Sequence, residues 1–221
     1  MNTTFNLALE HVLKWEGGFA NHPNDPGGAT MKGVTLTTYR RFFGQHKTVT
    51  DLRNISQSEL AVIYRRGYWD LVKADQLPAG VDLFVFDYAV NSGPSRAIKE
   101  LQRVVGLKGP RGVDGLFGPV TAEAVTHYHV KHGAVAIING LRDRRMAFLR
   151  RLGHWSTFKR GWTNRVNAIH YEAVAWAMSA KPPKEPPEDR HPPATEDEPE
   201  SDTYPPIWLS ALLAIFGLNH R

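Results

Sequence analysis

Residues 80–92 limit the fold more than any other segment. Val81, Leu83, Phe84, Val85, Phe86, Tyr88, Ala89 and Val90 make the run apolar almost all round. A helix of that kind is stable only when other elements cover it on every side. The pattern therefore predicts a central buried helix inside a mainly helical body. Ser56-Gln57-Ser58-Glu59 is a capping box that opens a second helix through Ala61, Val62, Ile63 and Tyr64. Further helices are predicted over 94–105, 119–131, 134–152 and 163–179. Only 17–35 reads as strand and turn. The fold class expected is α+β, mainly α, with a small β-hairpin near the N-terminus.

The 221 residues allow one or two domains, and a hydrophobic fraction of 42% supplies a core. There are no cysteines, which excludes disulfides, a cysteine nucleophile and a cysteine-rich zinc site. Charge is uneven. Residues 1–180 hold 23 basic against 14 acidic side chains, whereas residues 181–206 hold 3 against 8. A basic body fits a polyanionic partner, either nucleic acid or an anionic cell envelope. The arginines at 142, 144, 145, 150 and 151 spread round a helix that also carries Met146, Phe148 and Leu149. That is an outer helix with a buried side, so no nucleic-acid surface is assigned.

Residues 181–206 contain nine prolines and eight acids, which cannot build a core, and read as an extended linker. The uncharged run 207–218 beyond it is shorter than the ~20 residues a spanning helix needs. Its composition, with Trp208, fits membrane contact at an interface or docking on protein. The N-terminus shows no standard signal peptide.

Two acids carry the chemistry. Phe5, Leu9, Val12 and Leu13 recur at three- and four-residue spacing, and extending that row places Glu16 on the same buried face. Gly17-Gly18 is then the expected helix stop. Apolar surroundings and the negative end of a helix both favour a protonated carboxyl. Asp25 lies instead in the irregular turn His22-Pro23-Asn24-Asp25-Pro26-Gly27-Gly28, where a carboxylate is hydrated and ionised. Two carboxyls pushed apart in proton affinity match an acid and a base for cutting a glycosidic bond. Thr30 and Thr35 offer hydroxyls to a water or a sugar. Each acid also has a plain structural reading, as a helix end or a turn former.

Glu16-Gly17-Gly18, Asn24-Asp25-Pro26-Gly27-Gly28-Ala29-Thr30 and Lys32-Gly33-Val34-Thr35 resemble the N-terminal signature of the family 108 glycoside hydrolases, lysozyme-like N-acetylmuramidases of phages and Gram-negative bacteria. The spacing of Glu16, Asp25 and Thr30 is also similar to that of phage lysozymes, although the threonine of that pattern falls one position later, at Met31. The resemblance implies a lysozyme-like fold, Glu16 as catalytic acid, and Asp25 and Thr30 as its partners. Val113-Asp114-Gly115-Leu116-Phe117-Gly118-Pro119-Val120-Thr121 resembles the motif of the peptidoglycan-binding domain that follows in this family. Physically it is a glycine turn feeding a helix, with Pro119 in the first helical turn. The resemblance spans roughly residues 1–178. It divides the chain into a catalytic region 1–93, a helical peptidoglycan-binding region 94–180, the linker 181–206 and the apolar end 207–221.

Sugar contacts are sought among aromatics and the segment flanking the cleft. Trp15, Tyr68, Trp69, Trp155 and Trp162 present rings, with Trp69 the first choice. Tyr88, Asn91 and Ser92 lie on the last turns of the central helix, and Asp114 in the second motif. His129 and His132 share a helix face while His127 points elsewhere, so neither metal nor cofactor is assigned. No phosphate-cradling loop or nucleophile elbow occurs. The reading is a monomeric peptidoglycan muramidase, made in the cytoplasm and acting on the periplasmic wall. The inner membrane is a further contact through residues 207–218. A lytic transglycosylase and a non-catalytic wall-binding protein remain as rivals, as do the phage-lysis and wall-remodelling settings.

Overall fold

The computed structural model describes residues 3–21 and 28–179. Asp25, the linker 181–206 and the run 207–218 lie outside the described residues. In chain order the elements are α1 (Thr3–Leu13), β1 (Thr30–Met31), β2 (Val34–Thr35), α2 (Leu36–Phe43), α3 (Val49–Arg53) and α4 (Gln57–Tyr64). A π-helical turn (Arg65–Trp69) and a 3₁₀ turn (Ala74–Gln76) follow. Then come α5 (Val81–Ser92), α6 (Pro94–Val104), α7 (Gly109–Gly112), α8 (Pro119–His132), α9 (Ala134–Leu149) and α10 (Trp155–Ser179). Among the described residues the chain is mostly helical with one two-stranded antiparallel sheet near the N-terminus, an α+β lysozyme-like arrangement.

Every residue of α5 is buried. Its cover comes from α1, α6, α9, α10 and the two irregular turns. This is the architecture that an all-round apolar helix demands. The long α10 lays Trp162, Val166, Ile169, Ala173 and Trp176 along one buried seam. At Gly80, just before α5, the Ala173 carbonyl of α10 comes so close that any Cβ would collide with it. Gly80 also has a φ of +82°, so this junction needs glycine twice over.

The hairpin forms as a two-residue turn. Thr30 pairs with Thr35 and Met31 with Val34, leaving Lys32 and Gly33 as the loop. Both have positive φ, as the tight hairpin turns that match strand twist require. Thr35 then caps α2, its hydroxyl accepting from Thr38 N at 3.1 Å. The Ser56–Glu59 capping box is formed in both directions.

Two sequence expectations are corrected, and two helices appear where the sequence pattern assigns no element. Helix α1 ends at Leu13, not at Gly17-Gly18. Its last turn is tightened by bonds from Trp15 N to Val12 O and Glu16 N to Leu13 O. Residues 36–43 and 49–53 are helical, because Thr35 and Thr48 act as N-caps. Helix α10 begins at Trp155, eight residues before the periodicity of its buried seam becomes clear.

Candidate active site

Glu16 sits in the bend just past α1, where the chain turns toward the hairpin. That turn is tied to the sheet by Lys32 N donating to Gly17 O at 3.1 Å. Reciprocal Ala20–Thr30 backbone bonds of 2.9 and 2.8 Å extend the tie. Tyr64 of α4 holds the hairpin tip by donating to Lys32 O at 2.8 Å. Glu16 is therefore held between α1, the hairpin and the central helix, with its side chain only 1% exposed.

A buried chain of charges stands behind it. Arg165 Nη2 donates to Glu16 Oε1 at 3.0 Å and to Asp87 Oδ1 at 2.7 Å, and Arg165 Nε adds a second bond to Asp87 Oδ1 at 3.0 Å. Arg145 Nη1 donates to Asp87 Oδ2 at 2.6 Å. Asp87 comes from α5, Arg145 from α9 and Arg165 from α10. The second oxygen of Glu16, Oε2, is buried without a hydrogen-bond partner among the described residues.

Electrostatics divide the two carboxyls. Burial is the largest influence on Glu16 and raises its proton affinity. The Arg165 charge and hydrogen bond oppose it, Asp87 adds to it, and the outcome is a pKa above the ordinary value. Burial pushes Asp87 up too, but the charges of Arg165 and Arg145 win, and Asp87 stays ionised. The phenols of Tyr64 and Tyr68 also feel the Glu16 charge, after burial, and Tyr68 is pushed up to about 12. Tyr68 lies in the π-helical turn, an irregularity often found at functional sites. A carboxyl with one oxygen held, the other unpartnered and its proton affinity raised by burial is suited to deliver a proton.

The other predicted residues fall in different places. Thr30 is fully buried on β1, and its hydroxyl donates to Gly28 O at 3.3 Å. Trp69 is corrected from a sugar contact to a core residue, 1% exposed between Phe5 and Phe86, with Nε1 donating to Asp75 at 2.9 Å. The π-helical turn swings it inward. Tyr88 is corrected likewise. It has no exposed surface and lies beneath the Arg145 guanidinium, because α5 is covered on all sides. Asn91 and Ser92 are buried at the end of α5, Ser92 Oγ donating to Asn91 Oδ1 at 3.0 Å. A groove of about 800 Å³ runs between α1 and α4, lined by Phe5, Leu9, Leu13, Ala61, Val62 and Arg65 among others. Glu16 does not line it, so its volume is no guide to the chemistry. Among the described residues no group of three or more metal-ligating side chains converges.

The family model for glycosyl hydrolase 108 matches residues 9–93, and that for a predicted peptidoglycan domain matches residues 96–167. A solved structure titled "Structure of Brucella abortus SagA" is 42% identical, with a TM-score of 0.68, over 80% of this chain and 97% of that one. The chain belongs to the glycosyl hydrolase 108 family. Comparison with curated proteins gives no match. As a family 108 glycoside hydrolase joined to a peptidoglycan domain, the chain has the parts of a peptidoglycan hydrolase.

In the peptidoglycan domain of this family 108 chain, Asp114 is exposed and organises its own turn. Asp114 Oδ1 accepts from Gln102 Nε2 at 2.8 Å and from Leu116 N at 2.9 Å. Gln102, 1% exposed, also reaches the Leu116 carbonyl, the Thr121 hydroxyl and the Gly115 amide. Sequence reasoning missed Gln102, and it missed the roles of Asp87, Arg145 and Arg165. A signal was present for two of them. Asp87 is a charge inside an otherwise apolar helix, and Arg165 follows Trp162 by three residues on the seam continued by Ile169, Ala173 and Trp176. Buried charges of that kind require partners.

Proposed function

We propose that this chain is an N-acetylmuramidase, hydrolysing the β-1,4 bond between N-acetylmuramic acid and N-acetylglucosamine in peptidoglycan. The observation that carries the reading is the Glu16 carboxyl, buried, held at one oxygen and raised in proton affinity. Glu16 gives its proton to the bridging oxygen as the glycosidic C–O bond breaks. Asp25, in the loop joining Glu16 to the hairpin, steadies the positive charge that develops on the sugar or takes a proton from the attacking water. Thr30 orients that water. The separation of the two carboxyls decides between inversion and retention. The wall layer reached is periplasmic, with residues 207–218 as a membrane contact, and the setting is phage lysis or wall remodelling. No helix among the described residues is long and apolar enough to cross a membrane.

The test is digestion of purified sacculi by wild type and Glu16→Gln, with fragments read by mass spectrometry. New reducing ends on N-acetylmuramic acid, released by wild type alone, are the expected result. 1,6-Anhydro ends would instead mean transglycosylation. Equal release by both proteins would remove the enzymatic reading of Glu16.

A further inference from the structure

The family 108 match ends at residue 93, yet the one described hydrogen bond to the Glu16 carboxyl comes from Arg165, inside the peptidoglycan-domain match. We propose that Arg165 is a positioning residue, through which the peptidoglycan-binding half aims the catalytic carboxyl and makes its competence depend on the seating of α10. The proposal rests on Glu16 being the acid.

Geometry supports a fixed arm. Arg165 spans Glu16 and Asp87 with Nη2 and returns to Asp87 with Nε, so its plane cannot turn without losing a bond. Arg145 holds the far oxygen of Asp87, and both Asp87 and Arg145 are fully buried. The seam of Val166, Ile169, Ala173 and Trp176 locks α10 in place, and the Ala173 carbonyl against Gly80 sets its height along α5. With Oε1 held by the guanidinium, Oε2 is the oxygen left to carry the transferred proton. Lysine, a point charge without a planar fork, cannot satisfy both carboxylates in this way.

The charged and titratable groups facing Glu16 are Arg165 from α10, Asp87 from α5, Tyr64 from α4 and Tyr68 from the π-helical turn. Arg165 is the cation among them, and it works against burial. It keeps the acid from becoming too reluctant a donor. A seated α10 therefore fixes both direction and proton affinity.

The experiment uses the full chain with Arg165→Gln and Arg165→Lys. Two quantities are followed: turnover of sacculi against pH, and the pH titration of the Glu16 carboxyl by carbon-13 resonance, assigned with Glu16→Gln. Arg165→Gln is expected to lose about tenfold or more in turnover. Half-saturation should hardly change, and the basic limb and the Glu16 titration should both move to higher pH. Arg165→Lys should lose turnover but keep the titration near that of wild type, and it serves alone if Arg165→Gln does not fold. Folded variants with wild-type turnover would overturn the proposal. So would turnover that falls only with the folded fraction while the Glu16 titration stays put. If wild type releases no fragments, the muramidase reading fails, and the titration still decides whether Arg165 governs Glu16.

Discussion

Glu16 and Arg165 are 149 residues apart in the chain and 3.0 Å apart in space. The bond joins the turn after the first helix to the middle of the last. Burial in such a place is costly for an ionised carboxyl, and the raised pKa of Glu16 records that the cost exceeds what Arg165 returns.

Glu16→Gln should therefore separate activity from stability. Activity should fall by about 10²–10⁴, the usual worth of a positioned acid. Stability should rise. A folded pKa above the unfolded value of 4.5 means that the folded state holds the proton more tightly. The Glu16 contribution is full below pH 4.5 and is lost as pH climbs through the folded pKa. The amide still accepts from Arg165 and never ionises. Thermal melts should show the variant gaining on wild type from pH 4.5 upward, and a variant less stable at neutral pH would contradict this.

Glu59 gives the opposite sign. Burial disfavours its ionised form, but bonds from Ser56, Tyr39 and Lys47 outweigh that and hold its pKa at about 2. Its stabilisation is present above pH 4.5 and drains away as pH falls toward 2. Glu59→Gln should flatten the acid side of the stability profile over that interval. Ser56→Ala removes the other arm of the capping box and should cost about 1 kcal/mol. Denaturant unfolding at pH 7 and pH 3 would check both.

Much of this fold is legible in the sequence because its signals are local. The apolar run of α5, the Ser56 capping box and Pro119 at the start of α8 each act within a few residues. The burial of Glu16 was legible for the same reason, since Phe5, Leu9 and Val12 point to it even though the helix stops three residues earlier. What surrounds Glu16 was not. Asp87, Arg145 and Arg165 meet only after α5, α9 and α10 pack, and pairings over 58 and 78 residues leave no local pattern. Trp69 and Tyr88 misled for a related reason. An aromatic beside a cleft motif looks the same in sequence whether its ring faces a sugar or Phe86.

Gly80→Ala should be severe. The added Cβ meets the Ala173 carbonyl, a backbone atom, and the residue must also keep a φ of +82°. Strain at such a position costs about 1–3 kcal/mol before the collision is counted. Relief requires α10 to move away from α5, which would carry Arg165 off Glu16. The expected outcome is a lowered melting temperature, with activity lost faster than folded protein as temperature rises. Loss in strict proportion to the folded fraction would mean that α10 seating does not reach the acid.

Gln102→Leu tests the second half of the chain. The amide side chain holds the turn from Asp114 to Thr121 by four hydrogen bonds, and leucine leaves the Gly115 amide buried without its acceptor. Each buried group left unmade costs about 1–3 kcal/mol, enough to loosen the turn without unfolding the core. If the turn carries the peptidoglycan contact, pelleting with sacculi should weaken while the Glu16 titration stays unchanged, because Arg165 and Asp87 are untouched. Asp114→Asn keeps an acceptor for Gln102 and Leu116 but removes the charge. Weak pelleting in both variants would assign the contact to the Asp114 charge, and in Gln102→Leu alone to the shape of the turn. Full pelleting by a folded Gln102→Leu chain would place the wall contact elsewhere on the body.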